Sequence, residues 1–409
     1  MKDAALGLTG LGLSCRAAIA SHTPDLKSFY ERHLWFELRQ ALARTKQPPD
    51  LYLGASAAAF NDLPQAEKSL HQVITQSPDS DSASDAHEFL GYIYARSGRY
   101  RDTVQQLDAM LKSQPDRADV QNVRAIFKFF SRHADQSIEN LQPTPAHGSV
   151  GKDGAMFPAS VRGKTVHWAL DTDLNLSAMS EAEAQWLGVP VDDFSAQAGD
   201  ANGGTTKART AVVDEIVIGG LRVKNVAFLI LPDSQPPMSD AAQGQRGLIG
   251  LPVALALRAI TWKSNGDFVL GHSADQTSPA EPNLCLDGLS PVTRVECEGK
   301  PTDFIFDTGN QAGTELWSRF ATDFATVTAR GKKGTMIETE IGGSTEREVI
   351  RLPELRLRVG GFDVLLESPP ILSKPVGDDF HHGLLGMDAL SQAREVRINF
   401  QAMTVQLLR

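Results

Sequence analysis

Cysteine is scarce. Cys15, Cys285 and Cys297 are the only three in 409 residues, too few to staple a chain of this size, so a disulfide-framework fold is excluded. No apolar run approaches the roughly 20 residues that a membrane-spanning helix needs, so no transmembrane segment is expected. Basic charge is short as well. Forty Lys and Arg stand against 50 Asp and Glu, a net charge of −10 with pI near 5.5. That balance speaks against a broad phosphate-binding surface and hence against a nucleic-acid partner. What remains is ordinary globular composition, 41% hydrophobic and 22% charged, which rules out a wholly disordered, collagen-like or coiled-coil chain. At about 150 residues per domain, the length predicts two to three domains.

Glycine is missing from one stretch. Residues 23–144 contain three glycines, whereas residues 145–409 contain 28. Glycine is costly inside helices and common at turns between short strands. The spacing therefore predicts a helical region over 23–144 and a strand-rich one after it, with Pro143-Thr144-Pro145 as a stiff linker. Ahead of both, Lys2 precedes a mildly apolar stretch from Ala4 to Cys15, with small residues at Ala18-Ile19-Ala20. This outlines a candidate leader over 1–22, against which Asp3 and Arg16 count. A true leader makes the protein periplasmic or secreted; otherwise it is cytoplasmic.

The helical region repeats itself. Leu53-Gly54, Ala66 and Pro78 are answered by Leu90-Gly91, Tyr94 and Pro115. The interval from the Leu-Gly pair to the Pro is the same in both, 53 to 78 and 90 to 115. The pattern resembles the tetratricopeptide repeat, a pair of antiparallel helices closed by Pro. Its units run over about 47–80 and 84–117, although Ala57 stands where an aromatic is usual. Helices over 24–46 and 119–132 are expected to cap the stack. The resemblance implies a concave surface for a protein partner; a packing or spacer module is the plainer reading.

The strand-rich region also matches itself. Val161-Arg-Gly-Lys-Thr-Val-His-Trp-Ala-Leu-Asp-Thr-Asp173 aligns with Cys297-Glu-Gly-Lys-Pro-Thr-Asp-Phe-Ile-Phe-Asp-Thr-Gly309, so that position 171 falls on 307. Leu248-Ile249-Gly250 aligns with Leu384-Leu385-Gly386 at the same offset. Two landmarks sharing one offset point to internal duplication. The expected lobes are 145–280 and 281–409, each built of hairpins. In the last strand, Val396, Ile398 and Phe400 are placed on one buried face.

With Asp307-Thr308-Gly309 after Phe304-Ile305-Phe306, and Gly383-Leu384-Leu385-Gly386-Met387-Asp388 downstream, residues 150–409 resemble a retropepsin-like aspartic protease of the pepsin/retropepsin clan with both lobes in one chain. The fold expected is thus multidomain: an all-α helical repeat module followed by a mainly-β bilobal acid-protease fold. The resemblance implies an aspartic endopeptidase acting on a peptide or protein, with no metal or other cofactor. Asp171 and Asp307 would form the catalytic pair, with Thr172, Thr308 and Gly309 supporting it. Two carboxylates in contact share one proton, so the ionised member can deprotonate a water while the other polarises the peptide carbonyl. Gly203-Gly204 and Gly342-Gly343 are candidate flaps, or else ordinary hairpin turns.

The first lobe departs from the pattern. Asp173 stands where Gly is expected, and Pro252 where the second lobe has Asp388. An inward-pointing Asp173 would raise the pair's pKa values and impair water activation; an outward one leaves its N–H to support Asp171. A catalytically inactive protein that binds peptides in the same cleft is the alternative. Three further groups carry less. Asp378, Asp379, His381 and His382 read better as a solvated loop than as a metal site. Cys285 and Cys297 either pair across a hairpin or remain buried thiols. Trp168 and Phe304 are expected in the core, and no Gly-x-Ser-x-Gly elbow supports a serine hydrolase.

Overall fold

The computed structural model describes residues 25–151, 154–199, 205–236, 238–271, 281–340, 343–372 and 380–409. The candidate leader, Cys15, Asp378 and Asp379 lie outside them. Seven α-helices come first, at Leu26–Glu31, Trp35–Leu42, Asp50–Ala59, Leu63–Gln76, Asp81–Arg96, Tyr100–Ser113 and Ala118–Phe130. Their ends follow local chemistry. Asp62 accepts from the Gln65 N–H and Ser80 from the Ala83 N–H, satisfying donors that a helix start leaves open. Leu63–Gln76 buries Ala66, Ser69, Leu70 and Val73, the spacing of one helical face. Gly54 permits close approach there: a Cβ at this position would come within 2.6 Å of Leu70 Cγ.

Two expectations for this region change. The single helix over 24–46 is two short ones, broken at His33, whose φ is 52°. Left-handed backbone cannot continue the helical ladder, and the His33 side chain instead reaches Asp287 of the second lobe at 2.8 Å. The Pro143–Pro145 linker is also absent. Thr144–His147 is a strand paired with Asp267–Leu270, and Ser137–Glu139 already pairs with Leu221–Leu231. The chain passes from helices into sheet without a free connector.

The rest is mainly β. A nine-stranded sheet carries the first lobe, a ten-stranded sheet the second, and a five-stranded sheet joins them. In that joining sheet Ala259–Lys263 pairs antiparallel with Glu395–Asn399. Thr261 sits opposite Arg397, its counterpart under the offset that carries 171 to 307. Two positions related by that offset are therefore paired across the joining sheet. In the first lobe, Gly247–Ile249 runs parallel to Lys164–Leu170 and antiparallel to Ser177–Ser180. In the second, Gly383–Leu385 runs parallel to Lys300–Phe306 and antiparallel to Glu315–Leu316. Each lobe thus pins a loop at the centre of its sheet, over 171–176 and 307–314.

One apolar cluster is continuous from Trp35, Phe36 and Phe60 of the helices through Trp168, Phe268, Phe304 and Phe400 of the β region. Val396, Ile398 and Phe400 are buried as expected. Asn61 donates to the Phe400 carbonyl at 3.0 Å, and Tyr100 Oη donates to the Asn225 carbonyl at 2.6 Å. The helical region is therefore built onto both lobes. No helix among the described residues is long and apolar enough to cross a membrane.

Candidate active site

Asp171 follows the strand Lys164–Leu170, and Asp307 follows Lys300–Phe306. Both strands end in three apolar residues buried on both faces, Trp168-Ala169-Leu170 and Phe304-Ile305-Phe306. Each aspartate is then held by the neighbouring parallel strand. The Asp171 N–H donates to the Ile249 carbonyl at 2.9 Å, and the Asp307 N–H to the Leu385 carbonyl at 3.1 Å.

The next residues tie the two loops together. Thr172 Oγ1 donates to the Phe306 carbonyl at 2.6 Å, and Thr308 Oγ1 donates to the Leu170 carbonyl at 2.8 Å. Each hydroxyl also accepts from the opposite backbone: Thr308 N–H to Thr172 Oγ1 at 3.1 Å, and Thr172 N–H to Thr308 Oγ1 at 3.2 Å. Both threonines are fully buried. Four reciprocal bonds thus cross between the lobes beneath the two carboxylates, and all are satisfied where water cannot substitute.

The carboxylates lie close together. Gly309 donates its N–H to Asp307 Oδ1 at 2.7 Å. A Cβ placed on Gly309 would overlap the Asp171 carboxylate. Glycine is required at this point because the opposing carboxylate occupies the space of a side chain. Asn310 adds a second N–H to Asp307 Oδ1 at 3.2 Å. Asp171 receives the Asp173 N–H at 3.2 Å, while the Asp173 carboxylate keeps one oxygen buried rather than turned to solvent.

Both carboxyls are pushed above the usual range. For Asp171 the causes are burial, then the charges of Asp307 and Asp173, opposed by the N–H groups of Asp173 and Leu174. For Asp307 the cause is burial, offset by the N–H groups of Gly309 and Asn310. Each carboxyl has two N–H donors, and Asp173 adds a further negative charge beside the pair on the first-lobe side. An arrangement of this kind retains a proton where isolated carboxylates would have lost it.

A second layer holds the loops, and motif reading passed over it. Thr314 donates its N–H and Oγ1 to Asp388 Oδ1, at 2.9 and 2.7 Å, and accepts from the Gly386 N–H at 3.2 Å. In the first lobe, Ser177 Oγ accepts from the Gly250 N–H at 3.1 Å. The signal in the sequence is a hydroxyl residue at the end of each loop, where the next strand begins. Pro252, lacking a carboxylate, contributes only its carbonyl, which accepts from Gln136 Nε2 at 2.9 Å.

Of the candidate flap glycines, Gly203, Gly204 and Gly342 lie outside the described residues. Gly343 opens the strand Gly343–Arg351, paired with Lys332–Glu340. The two histidines of the acidic run are buried, not part of a solvated loop, and do not face one partner. His381 Nε2 is 3.3 Å from Asp287, whereas His382 faces Asp303 and Asp323. No metal-binding cluster occurs among the described residues. Cys285 and Cys297 are buried free thiols.

Residues 157–253 match the model of the family described as aspartyl protease. No curated protein matches the chain. Among solved structures, the chain is similar to a retropepsin-like aspartic protease from Rickettsia conorii, at 20% identity and a TM-score of 0.24, over 34% of this chain and 97% of that one. The family match, falling on the first lobe, supports a retropepsin-like fold and a general aspartic protease function.

Proposed function

We propose that the protein is an aspartic endopeptidase in which Asp171 and Asp307, one from each lobe, form a single catalytic pair. The pair shares one proton. Its ionised member takes a proton from a water, whose oxygen attacks the peptide carbonyl carbon, while the protonated member hydrogen-bonds the carbonyl oxygen. The protonated member then hands its proton to that oxygen, giving a diol; as the diol collapses the C–N bond breaks, the nitrogen takes the proton drawn from the water, and the pair recovers one from a diol hydroxyl. Neither aspartate is assigned acid or base alone, because coupled carboxyls titrate together.

The observation that carries this reading is the Thr172–Thr308 exchange beneath the two carboxylates, with Gly309 against both. Such bracing fixes two like charges near each other at a cost that a structural role does not explain. The lobes are read as products of duplication, spanning 145–280 and 281–409. The helices are read as tetratricopeptide-like repeats offering a surface to a protein partner. Gly203-Gly204 and Gly342-Gly343 are retained as flap candidates.

A peptide library incubated across acidic to neutral pH tests the assignment. Asp307→Asn is expected to reduce cleavage by about 10²–10⁴-fold, the range of a lost general acid or base. Cleavage unaffected by that substitution overturns it. Peptide binding without cleavage by the unaltered protein would favour the inactive peptide-binding reading.

A further inference from the structure

The helices meet the two aspartate loops unequally. Ala178 stands opposite Leu248 in the first lobe, and Glu315 stands opposite Leu384 in the second. Counting back from those pairs, Ser177 answers Thr314 and Leu176 answers Gly313. In the second lobe that position has no side chain, and a Cβ on Gly313 would come within 3.1 Å of the Asp388 carboxylate. In the first lobe Leu176 is buried in an apolar cluster with Tyr100, Ile126, Phe127 and Phe130 of the helices, and with Val212 and Ala227 of its own lobe. The loop over 307–314 offers the helices no large apolar side chain.

A polar link runs beside this packing. Gln136 donates its backbone N–H to the Gly98 carbonyl at 3.0 Å, in the turn between the helices Asp81–Arg96 and Tyr100–Ser113. Its side chain donates to the Pro252 carbonyl at 2.9 Å, at the position that Asp388 holds in the second lobe. The helix Leu251–Leu257, to which Pro252 belongs, starts with the Leu251 N–H donated to the Leu174 carbonyl at 2.9 Å. Tyr100 Oη also accepts the Ala227 N–H at 3.1 Å, which fixes these helices to the first lobe.

Packing at Leu176 and a bond at Pro252 thus act from outside the lobe where Thr314 and Asp388 act from within the other. We propose that the helical region positions Asp171, with Leu176, Phe130 and Gln136 as positioning residues in place of the carboxylate that the first lobe lacks. Its effect on rate rests on the catalytic-pair reading; the hold on the loop does not.

The test measures peptide cleavage and the carboxyl titration of the pair, the latter by carbon NMR of isotope-labelled aspartate, on full-length variants. Leu176→Ala opens the cluster behind the loop. It is expected to lower kcat by about tenfold or more with KM unchanged, as a displaced reacting group does. Water reaching Asp171 relieves its burial, the largest cause of its raised pKa. The pair should therefore lose its proton at a pH lower by roughly half a pH unit or more. Leu176→Met refills the space and should restore both readouts. Gln136→Ala should act in the same direction, and decides alone if Leu176→Ala does not fold. Leu70→Ala empties a core confined to the helices and should leave kcat and the titration unchanged. The inference is overturned if Leu176→Ala and Gln136→Ala leave both readouts as they were, or if Leu70→Ala alters them as much. If the unaltered protein cleaves no peptide, the catalytic reading fails, and the titration of the same variants still decides whether the helices position Asp171.

Discussion

The loops after Asp171 and Asp307 are built to one plan with different materials. From the aspartate to the residue opposite Leu248 or Leu384 takes seven steps in the first lobe, to Ala178, and eight in the second, to Glu315. The longer loop has Gly309 beside the opposing carboxylate, two N–H donors on Asp307, and Thr314 locked to Asp388. The shorter one has Asp173 in place of that glycine, the N–H groups of Asp173 and Leu174 on Asp171, and Ser177 bonded to Gly250 without a carboxylate behind it. The threonines are matched bond for bond, and so are the aspartate N–H bonds to Ile249 and Leu385 and the hydroxyls of Ser177 and Thr314 that accept from Gly250 and Gly386. Symmetry is relaxed at Asp173, which replaces the glycine, and behind Ser177, where no carboxylate stands.

The sharpest break in the comparison is at the glycine. Gly309→Ala places a Cβ against the Asp171 carboxylate and is expected to cost about 100-fold in peptide cleavage, as a displacement of about 1 Å at a reacting group can. Next come the threonines. Thr172→Val and Thr308→Val each remove one donated bond and strand one buried N–H. Each should lower unfolding free energy by about 1–3 kcal/mol in urea titrations. The two losses should be equal, and unequal losses would show that the lobes are not braced symmetrically. Asp388→Ala should cost about 1 kcal/mol, like the loss of a capping carboxylate, whereas Pro252→Ala removes no such bond.

The smallest effect is at Asp173. Its charge raises the Asp171 pKa, so its removal should lower it. The ionised form of the pair then appears at lower pH, and both limbs of the pH–rate profile move toward acid. Asp173→Gly is therefore expected to raise cleavage at acidic pH by less than about tenfold, the equivalent of one pKa unit. No change, or a loss, would count against the view that this carboxylate burdens the pair.

Several features could be read directly from the chain because they are local. The glycine-poor stretch is helical as far as Phe130, and the three residues before Asp171 and before Asp307 are apolar and buried. Trp168 and Phe304 are core residues for the same reason. The offset that carries 171 to 307 recurs in the parallel pairings Leu170–Ile249 and Phe306–Leu385. The helix break at His33 and the strand at Thr144–His147 were hidden, because their causes lie elsewhere. His33 is engaged by Asp287, far along the chain in the second lobe. Thr144–His147 is recruited by Asp267–Leu270, from the opposite end of the first lobe.

The sequence by itself determined where helices give way to strands, which aspartates end apolar strands, and which of the two motifs departs from the other. These are matters of composition, period and spacing, and each is settled within a few residues. Only the tertiary structure decided that Gly309 borders both carboxylates, that each threonine hydroxyl bonds to the other loop, and that the helices share a core with both lobes. Those contacts join segments that are distant in the chain, one from each lobe at the site itself. Their energies depend on burial and mutual distance, which exist only once the chain has folded.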